Sequence, residues 1–277
     1  MLKVGVIGLG MIGGGVAVCL ARAGLLSAVY DIYPESADKL DGVPACVSSP
    51  AALAKICDVV IIAVVSADQI RSALNGEEGL LSAAKPGTVL VIQSTISLTE
   101  LKSITELAAP AGIKIVDCGV TGGPASHKNG LVSLVGADDE TFKYIEPALN
   151  GYSKLVAHMG GPGAGMAAKI ARNVITYSIW RAGYEGALLA QAAGVDLKKF
   201  AEAIESSSEN ASGPTTWMAR DLGIDESIEE KNLREHVWTI LDKDLSAALE
   251  LSGDLDVNLP TAKLSRETAK TILGLQA

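Results

Sequence analysis

The stretch KVGVIGLGMIG, residues 3–13, decides the fold of this chain. Its first half is short and apolar, as expected of a buried strand, and its second half carries three glycines in G-x-G-x-x-G spacing. In that spacing the first glycine allows a tight turn, the second lets another group approach the backbone, and the third lets a helix pack closely on the strand. The sequence therefore predicts a strand that turns sharply into a helix at Gly8.

The residues that follow complete a strand–helix–strand unit. MIGGGVAVCLARAG is typical of a helix that ends at Gly24, and AVYD, residues 28–31, is typical of a second strand. In such a unit the free N–H groups at the helix start favour an anion, and an acid at the end of the second strand can bind ribose hydroxyls. We therefore predict a dinucleotide site formed by Asp31 and by the turn residues Gly8, Leu9, Gly10, Met11, Ile12 and Gly13.

Asp31 also bears on which dinucleotide is bound. A carboxylate can accept hydrogen bonds from both ribose hydroxyls and repels a 2′-phosphate, and residues 32–35 contain no arginine to hold that phosphate. The sequence favours NAD over NADP. The alternative is that the glycines serve only close packing and that Asp31 caps a turn.

Strand and helix patterns alternate up to about residue 160 and then change. Further strands are predicted within VVIIAVV, TVLVIQS, IKIVDCGV, LVSLVGA and SKLVAHMG, whereas the later residues show helix patterns and little strand pattern. We predict a Rossmann-type, doubly wound α/β domain over residues 1–160. An all-helical domain over residues 161–277 would follow, joined through a long helix from Met166 to about Ala193.

Composition excludes several classes of function. The chain has 277 residues and a net charge of −9, whereas binding to nucleic acid or to an anionic membrane needs clustered lysine and arginine. The longest apolar run is too short to span a bilayer, and the N-terminus lacks a signal-peptide pattern. The four cysteines show no C-x-x-C spacing. We expect a soluble cytoplasmic protein without disulfides or a metal site.

The stretch GAGMAAKIARN, residues 163–173, sets Lys169 and Asn173 four positions apart among small residues. Residues at this spacing share one face of a helix, so both side chains can point into one cleft. Taken alone, Lys169 is better explained as a lysine whose stem packs on apolar surface while its amine stays in water.

Four segments of the chain, in this order, resemble the motifs of the β-hydroxyacid dehydrogenases. They are GLGMIG, VDCGVTGGPASHKNG (116–130), GGPGAGMAAKIARN (160–173) and DKDLSAAL (242–249). The family includes 3-hydroxyisobutyrate dehydrogenase, tartronate semialdehyde reductase and, more remotely, 6-phosphogluconate dehydrogenase. The resemblance covers nearly the whole chain, and four ordered motifs are far more specific than one.

The resemblance implies a reaction and a role for each motif. The reaction is hydride transfer between a nicotinamide and the hydroxyl-bearing carbon of a small β-hydroxyacid, with Lys169 as the catalytic acid/base. The implied substrate-binding residues are Thr121, Gly122, Gly123 and Asn173, the first three holding a carboxylate. The residues implied to lie near the cofactor are Val64, Val65, Gln69, Thr95 and Lys243.

The chain departs from the family pattern at several positions. Thr121 stands where serine is usual, which keeps the hydroxyl, and Gly119 stands where proline is usual. The family often has Leu-Pro at Val64–Val65. His236 stands where relatives often have phenylalanine, at a position that tends to face the substrate. A histidine there could bind a polar group of the substrate, or it could be an ordinary surface residue.

Two other functions stay open at this point. One is an imine reductase of the same architecture, although such relatives commonly carry aspartate or tyrosine in place of Lys169. The other is a catalytically silent nucleotide-binding module, although known silent relatives tend to lose the lysine. The long apolar helix has more apolar surface than a small domain covers, so we also expect a homodimer or a higher homo-oligomer.

Overall fold

The computed structural model of the protein describes residues 2–208 and 228–275. At residues 180, 207, 208, 228–230, 243, 244, 247, 250 and 272 it describes the backbone alone. The chain forms two compact units, Met1–Arg172 and Asn173–Ala277, and each is described by itself. The domain boundary at residue 160 stays a prediction.

The first unit is built on a seven-stranded sheet. Its strands follow the order β2-β1-β3-β4-β5-β6-β7, and every neighbouring pair is parallel except β5 with β6. The strands are β1 (Val4–Ile7), β2 (Leu26–Tyr30), β3 (Val59–Ile62), β4 (Val89–Ile92), β5 (Lys114–Thr121), β6 (Leu131–Gly136) and β7 (Ser153–Gly160). All residues of β1, β3 and β4 are buried, as expected of parallel strands covered on both faces.

Helices of the first unit cover both faces of the sheet. They are α1 (Met11–Arg22), α2 (Pro50–Ile56), α3 (Ala67–Leu74), α4 (Leu98–Ala108) and α5 (Asp139–Asn150). One core cluster contains Leu20 of α1 and Ile145 of α5, and a second contains Leu53 of α2 and Ile104 of α4. Ser97 and Glu100 form a reciprocal capping box at the start of α4. The predicted doubly wound α/β fold is confirmed.

Three local features of the sheet and its connections were not predicted from the sequence. The apolar run at 59–65 leaves the sheet after Ile62, because Ala63 and Val64 continue as a loop and Ser66 caps α3. Strand β6 runs antiparallel to β5, and α5 follows it. Apolar patterns identify a strand, but its end and its direction depend on partners elsewhere in the chain.

The described part of the second unit contains helices and turns only, which confirms the all-α C-terminal region. The long α6 (Ala164–Ala192) starts in the first unit and continues into the second. It is followed by α7 (Leu197–Ser208), α8 (Ile228–Asp254), α9 (Pro260–Glu267) and α10 (Ala269–Ile272). Within residues 2–208 and 228–275, no helix is long and apolar enough to cross a membrane.

A buried carboxylate joins two helices of the second unit. Glu185 of α6 is 3% exposed and accepts hydrogen bonds from the backbone N–H groups of Thr261 and Ala262, in the first turn of α9, and from Nε of Arg181. Burial alone would raise the pKa of Glu185, but these hydrogen bonds together hold that pKa below its ordinary value. The charged carboxylate therefore caps α9 and ties it to α6.

We expect Glu185→Gln to lower the free energy of unfolding by about 1–3 kcal/mol at neutral pH, because the charged acceptor of several donors is lost. The folded-state pKa of Glu185 lies below the unfolded value of about 4.3, so its contribution is present above that pH and is lost as the pH falls through the folded-state pKa. Denaturant unfolding across the acid range should show a shallower pH dependence in the variant. Glu202→Gln, at an exposed site of α7, is the matched control. Equal curves for both variants would contradict the capping role.

Candidate active site

In the glycine-rich turn between β1 and α1, the backbone lies close to the backbone of neighbouring segments. Gly8 has a φ of +89°, which glycine adopts without strain, and a Cβ there would lie 2.6 Å from the carbonyl oxygen of Ala63. A Cβ at Gly13 would overlap the carbonyl oxygen of Gly8. A Cβ at Gly10, in contrast, would meet no atom of the described residues within 4 Å. The turn is thus closed on the protein side and open beside Gly10, at the start of α1.

Asp31 follows β2 and holds this turn in place. Its Oδ2 accepts a hydrogen bond of 2.6 Å from the backbone N–H of Leu9, and its Oδ1 accepts one of 2.9 Å from the N–H of Tyr33. Each carboxylate oxygen can accept a further bond, so ribose hydroxyls can still be bound. The turn-capping interpretation and the ribose-binding interpretation are therefore compatible.

A cavity of about 430 Å³, the aspartate cavity, opens beside Asp31. It is lined by the glycine turn, by the ends of β1 and β2, by the loop after β3 and by α3, with Gly8, Gly10, Asp31, Tyr33, Val64, Val65 and Gln69 among its residues. Gln69 Oε1 accepts a hydrogen bond from the N–H of Val65, which fixes the loop after β3. The first turn of α1 carries no acidic side chain, and its N-terminus favours an anion. These features fit an extended nucleotide.

A second cavity of about 350 Å³, the lysine cavity, shares Ala63 and Val64 with the first. Its wall brings together residues that lie more than 150 positions apart in the sequence. They are Ile12, Ala63, Val64, Gln93, Ser94, Thr95, Val120, Thr121, Gly122, Gly123 and Lys169. A molecule that extends from the aspartate cavity past Val64 would therefore reach Lys169 and the Thr-Gly-Gly turn.

Lys169 is buried in the wall of this cavity, with 9% of its surface exposed. Burial lowers the pKa of its amine, and the positive charge of Arg172 lowers it further. Because a lowered pKa makes the neutral amine more available near neutral pH, Lys169 is suited to accept and return a proton. Lys169 is therefore a cavity-wall lysine and not one on the open surface.

The start of α6 is fixed by Asp117 of β5. The Asp117 carboxylate is 1% exposed and accepts hydrogen bonds from the N–H groups of Gly163, at 2.7 Å, and Met166, at 2.6 Å. A Cβ at Gly119 would overlap the Cβ of Lys169 and lie 2.8 Å from its Cγ. Asp117 therefore sets where α6 begins, and Gly119 leaves room for the lysine stem on β5.

The Thr-Gly-Gly turn begins at Thr121, the last residue of β5. Gly122 has a φ of +94°, and a Cβ there would lie 2.7 Å from the carbonyl oxygen of Gly130. The short 3₁₀ helix that follows is tied to α1, because Ser126 Oγ donates to the carbonyl oxygen of Met11 at 2.8 Å. The turn proposed for the substrate is thus held against the helix proposed for the cofactor.

Three predicted site residues lie in the second unit. Asn173 is partly exposed on α6, and His236 is exposed on α8. Lys243 belongs to α8, but its side chain lies outside the described residues. The roles implied for these residues stay predictions.

Sequence reasoning missed two residues of this arrangement. Asp117 stands in the motif that carries the resemblance, but nothing in the spacing indicates that its carboxylate holds the start of another helix. Gln93 lines the lysine cavity and directly precedes Ser94 and Thr95. Its amide, at the end of an otherwise apolar strand, was the feature of the sequence that could have indicated a site residue.

Comparison with known proteins gives two family models that together span nearly the whole chain. Residues 3–161 match the NAD-binding domain of 6-phosphogluconate dehydrogenase. Residues 163–275 match the NAD-binding domain of NADP-dependent 3-hydroxyisobutyrate dehydrogenase. The first match alone covers more than half of the 277 residues.

Individual relatives agree with these models. An uncharacterized oxidoreductase of Mycobacterium tuberculosis is 34% identical, over 99% of this chain and 94% of the relative. The 2-(hydroxymethyl)glutarate dehydrogenase of Eubacterium barkeri is 28% identical, over 96% of this chain and 87% of the relative. A crystallised protein of Mycobacterium avium 104, to which an oxidoreductase function is ascribed, is 34% identical over the full length of both chains, with a TM-score of 0.90.

Proposed function

The chain belongs to the β-hydroxyacid dehydrogenase family, and on that premise we propose that it oxidises a small 3-hydroxyisobutyrate-like β-hydroxyacid with NAD, or reduces the corresponding carbonyl compound. Residues 1–160 would bind the dinucleotide, and residues 161–277 would complete the substrate site and form the contact between subunits. The observation that carries the proposal is the buried Lys169 in the same cavity as the Thr121-Gly122-Gly123 turn.

The aspartate and lysine cavities suit the two ends of a dinucleotide. The diphosphate would lie at the start of α1, next to Gly10, and the ribose hydroxyls would bind Asp31. Val64, Val65, Gln69 and Thr95 would line its path toward Lys169. Lys243 is proposed to approach the nicotinamide end on the resemblance alone.

The chemistry assigns one proton to Lys169. A bound nicotinamide supplies an acceptor or a donor for the hydride. In oxidation, Nζ of neutral Lys169 takes the proton of the substrate hydroxyl while the carbon that bears this hydroxyl loses a hydride to the nicotinamide. In reduction, protonated Lys169 returns that proton to the carbonyl oxygen. The pKa of a free lysine is about 10.4, so its amine would be a poor base at neutral pH. Burial lowers the pKa of Lys169 and thereby favours its role as a base.

The substrate is proposed to be a small carboxylate. The turn Thr121-Gly122-Gly123 offers backbone N–H groups and one hydroxyl, which together suit a carboxylate. Asn173 is proposed to bind the substrate one helical turn after Lys169, and His236 is proposed to contact a polar group on it. The 2-(hydroxymethyl)glutarate dehydrogenase of Eubacterium barkeri supports this substrate class, because 2-(hydroxymethyl)glutarate and 3-hydroxyisobutyrate are both carboxylic acids with a hydroxymethyl group.

A homodimer or higher homo-oligomer is proposed from the surface of α6. Val174, Tyr177 and Tyr184 are 62%, 57% and 56% exposed, which is unusual for a cluster of large apolar side chains on one helix. A second copy of the chain would cover them.

Asp31→Asn is expected to raise the KM for NAD by about 10- to 100-fold, since a charge-assisted hydrogen bond to ribose becomes a neutral one. The preference for NAD over NADP should fall, because the repulsion of the 2′-phosphate is removed. Steady-state kinetics with both cofactors measure this. Asp41→Asn, at an exposed site after β2, should leave both KM values unchanged. A variant that keeps the NAD preference of the wild type would contradict the assignment of Asp31.

The proposed activity is tested by the absorbance of reduced nicotinamide. Purified protein is incubated with NAD or NADP and with 3-hydroxyisobutyrate, serine, glycerate, threonate and aryl-substituted 3-hydroxyacids. We expect NAD-dependent turnover of at least one acid. Cofactor binding without turnover of any acid would contradict the proposal and favour either an imine reductase or a silent binding module.

A further inference from the structure

Gln93 directly follows the buried strand β4 and lines the lysine cavity. The residue is 4% exposed, and its Nε2 donates a hydrogen bond of 2.9 Å to the hydroxyl of the fully buried Tyr152. Its Oε1 is buried and accepts no hydrogen bond from any residue in the described part of the chain. Among the described residues, the amide nitrogen of Gln93 therefore has a hydrogen-bond partner and the amide oxygen has none.

No donor among the described residues forms a hydrogen bond with this oxygen. The neighbouring hydroxyl of Ser94 already donates to the carbonyl oxygen of Val64 at 2.6 Å. Burying an amide oxygen without a partner destabilises a folded protein, and the great majority of buried polar groups are paired. The bond to Tyr152 accounts for the amide nitrogen of Gln93, but no residue in the described part of the chain accounts for its oxygen.

We propose that Gln93 is a ligand-binding residue of the lysine cavity, whose Oε1 accepts a hydrogen bond from an N–H or O–H group of the bound molecule. The inference rests on the proposed function, because it takes this cavity as the place where nicotinamide and hydroxyacid meet. The terminal torsion of a glutamine side chain is soft, so a small rotation brings the oxygen toward a donor in the cavity. Two donors have the required chemistry: the carboxamide of the nicotinamide, and a hydroxyl or amino group of the substrate.

Gln93→Leu removes the acceptor while keeping an apolar body of similar size. We expect it to weaken the binding of one ligand by about three- to tenfold, the effect of one neutral hydrogen bond. Fluorescence titration with NADH measures the cofactor arm. Thermal-shift titration with 3-hydroxyisobutyrate, at saturating NADH, measures the substrate arm. A loss in the cofactor arm assigns the bond to the carboxamide, and a loss confined to the substrate arm assigns it to the substrate.

Tyr152→Phe is the matched control, since it removes the Gln93–Tyr152 hydrogen bond and keeps the Gln93 oxygen. It should lower the melting temperature and change the affinities less than Gln93→Leu does. Affinities of Gln93→Leu equal to wild type in both arms would overturn the proposal and leave Gln93 a brace for Tyr152. Gln93→Met, of nearly the same shape, replaces the leucine variant if that variant does not fold. Both titrations measure binding and not turnover. They therefore test the role of Gln93 even if the turnover assay fails and the proposed reaction is wrong.

Discussion

Replacing Lys169 with alanine is expected to lower kcat by about 10²- to 10⁴-fold, the usual contribution of a positioned acid/base. The side chain is buried in the lysine cavity, so the alanine variant loses the proton acceptor without disturbing the aspartate cavity. The Kd for NADH should therefore stay close to that of the wild type. Stopped-flow or steady-state assays of NADH formation, beside a fluorescence titration of cofactor binding, separate the two quantities.

Two further variants sharpen this test. Lys169→Arg keeps the positive charge but does not release a proton at accessible pH, so it should be as inactive as the alanine variant. Lys102→Ala, at an exposed site of α4, should retain full activity. In the wild type, the rate of oxidation should rise with pH through a value below the ordinary lysine pKa, because burial lowers the pKa of Lys169. An active arginine variant would mean that Lys169 supplies charge and not proton transfer.

Gly119→Ala is expected to lower kcat by about 10²-fold, which is the effect of misplacing a catalytic group by about 1 Å. The new Cβ would overlap the Cβ of Lys169 and crowd the carbonyl oxygen of Gly165 at 3.2 Å. Either α6 moves away from β5 or the lysine stem turns, and both displace Nζ from the cavity. We also expect the free energy of unfolding to fall by about 1–3 kcal/mol, the usual cost of overpacking.

Gly161→Ala is the matched control for this substitution. Among the residues that the structure describes, a Cβ at Gly161 would meet no atom within 4 Å, although the residue lies near the start of the same helix. Its kinetic constants and melting temperature should match those of the wild type. A Gly119→Ala protein with unchanged kcat would show that the close packing of β5 on α6 does not position Lys169.

The sequence predicted the features whose chemistry is local. The glycine turn and Asp31 lie within one strand–helix–strand unit, so their spacing predicted the structure around them, and the doubly wound sheet followed from the alternation of patterns. The long helix was expected from Met166, and it begins at Ala164 because Asp117 binds the N–H groups of Gly163 and Met166. That contact joins residues 46 and 49 positions apart, which no local pattern reveals.

Other features depend on packing that a single sequence does not display. The substitution of Gly119 for proline was only a departure from a family pattern until a Cβ at that position was seen to overlap Lys169. The lowered pKa of Lys169 follows from burial, and burial depends on how β5 and α6 meet. The antiparallel direction of β6 depends on its pairing with β5 and not on its own residues. The oxygen of Gln93, which no residue in the described part of the chain binds, is likewise a property of its surroundings.

The central claim is that a hydride leaves the hydroxyl-bearing carbon of a β-hydroxyacid while Lys169 takes the hydroxyl proton. Its most direct test uses the best acid of the panel, deuterated at that carbon, with unlabelled NAD and the purified protein. Mass spectrometry of the reduced cofactor should show one deuterium per NADH formed by the wild type, and in the same reaction time Lys169→Ala should form about 10²- to 10⁴-fold less reduced cofactor. Unlabelled NADH from the deuterated acid, or labelled NADH formed equally well by the Lys169→Ala protein, would contradict the account.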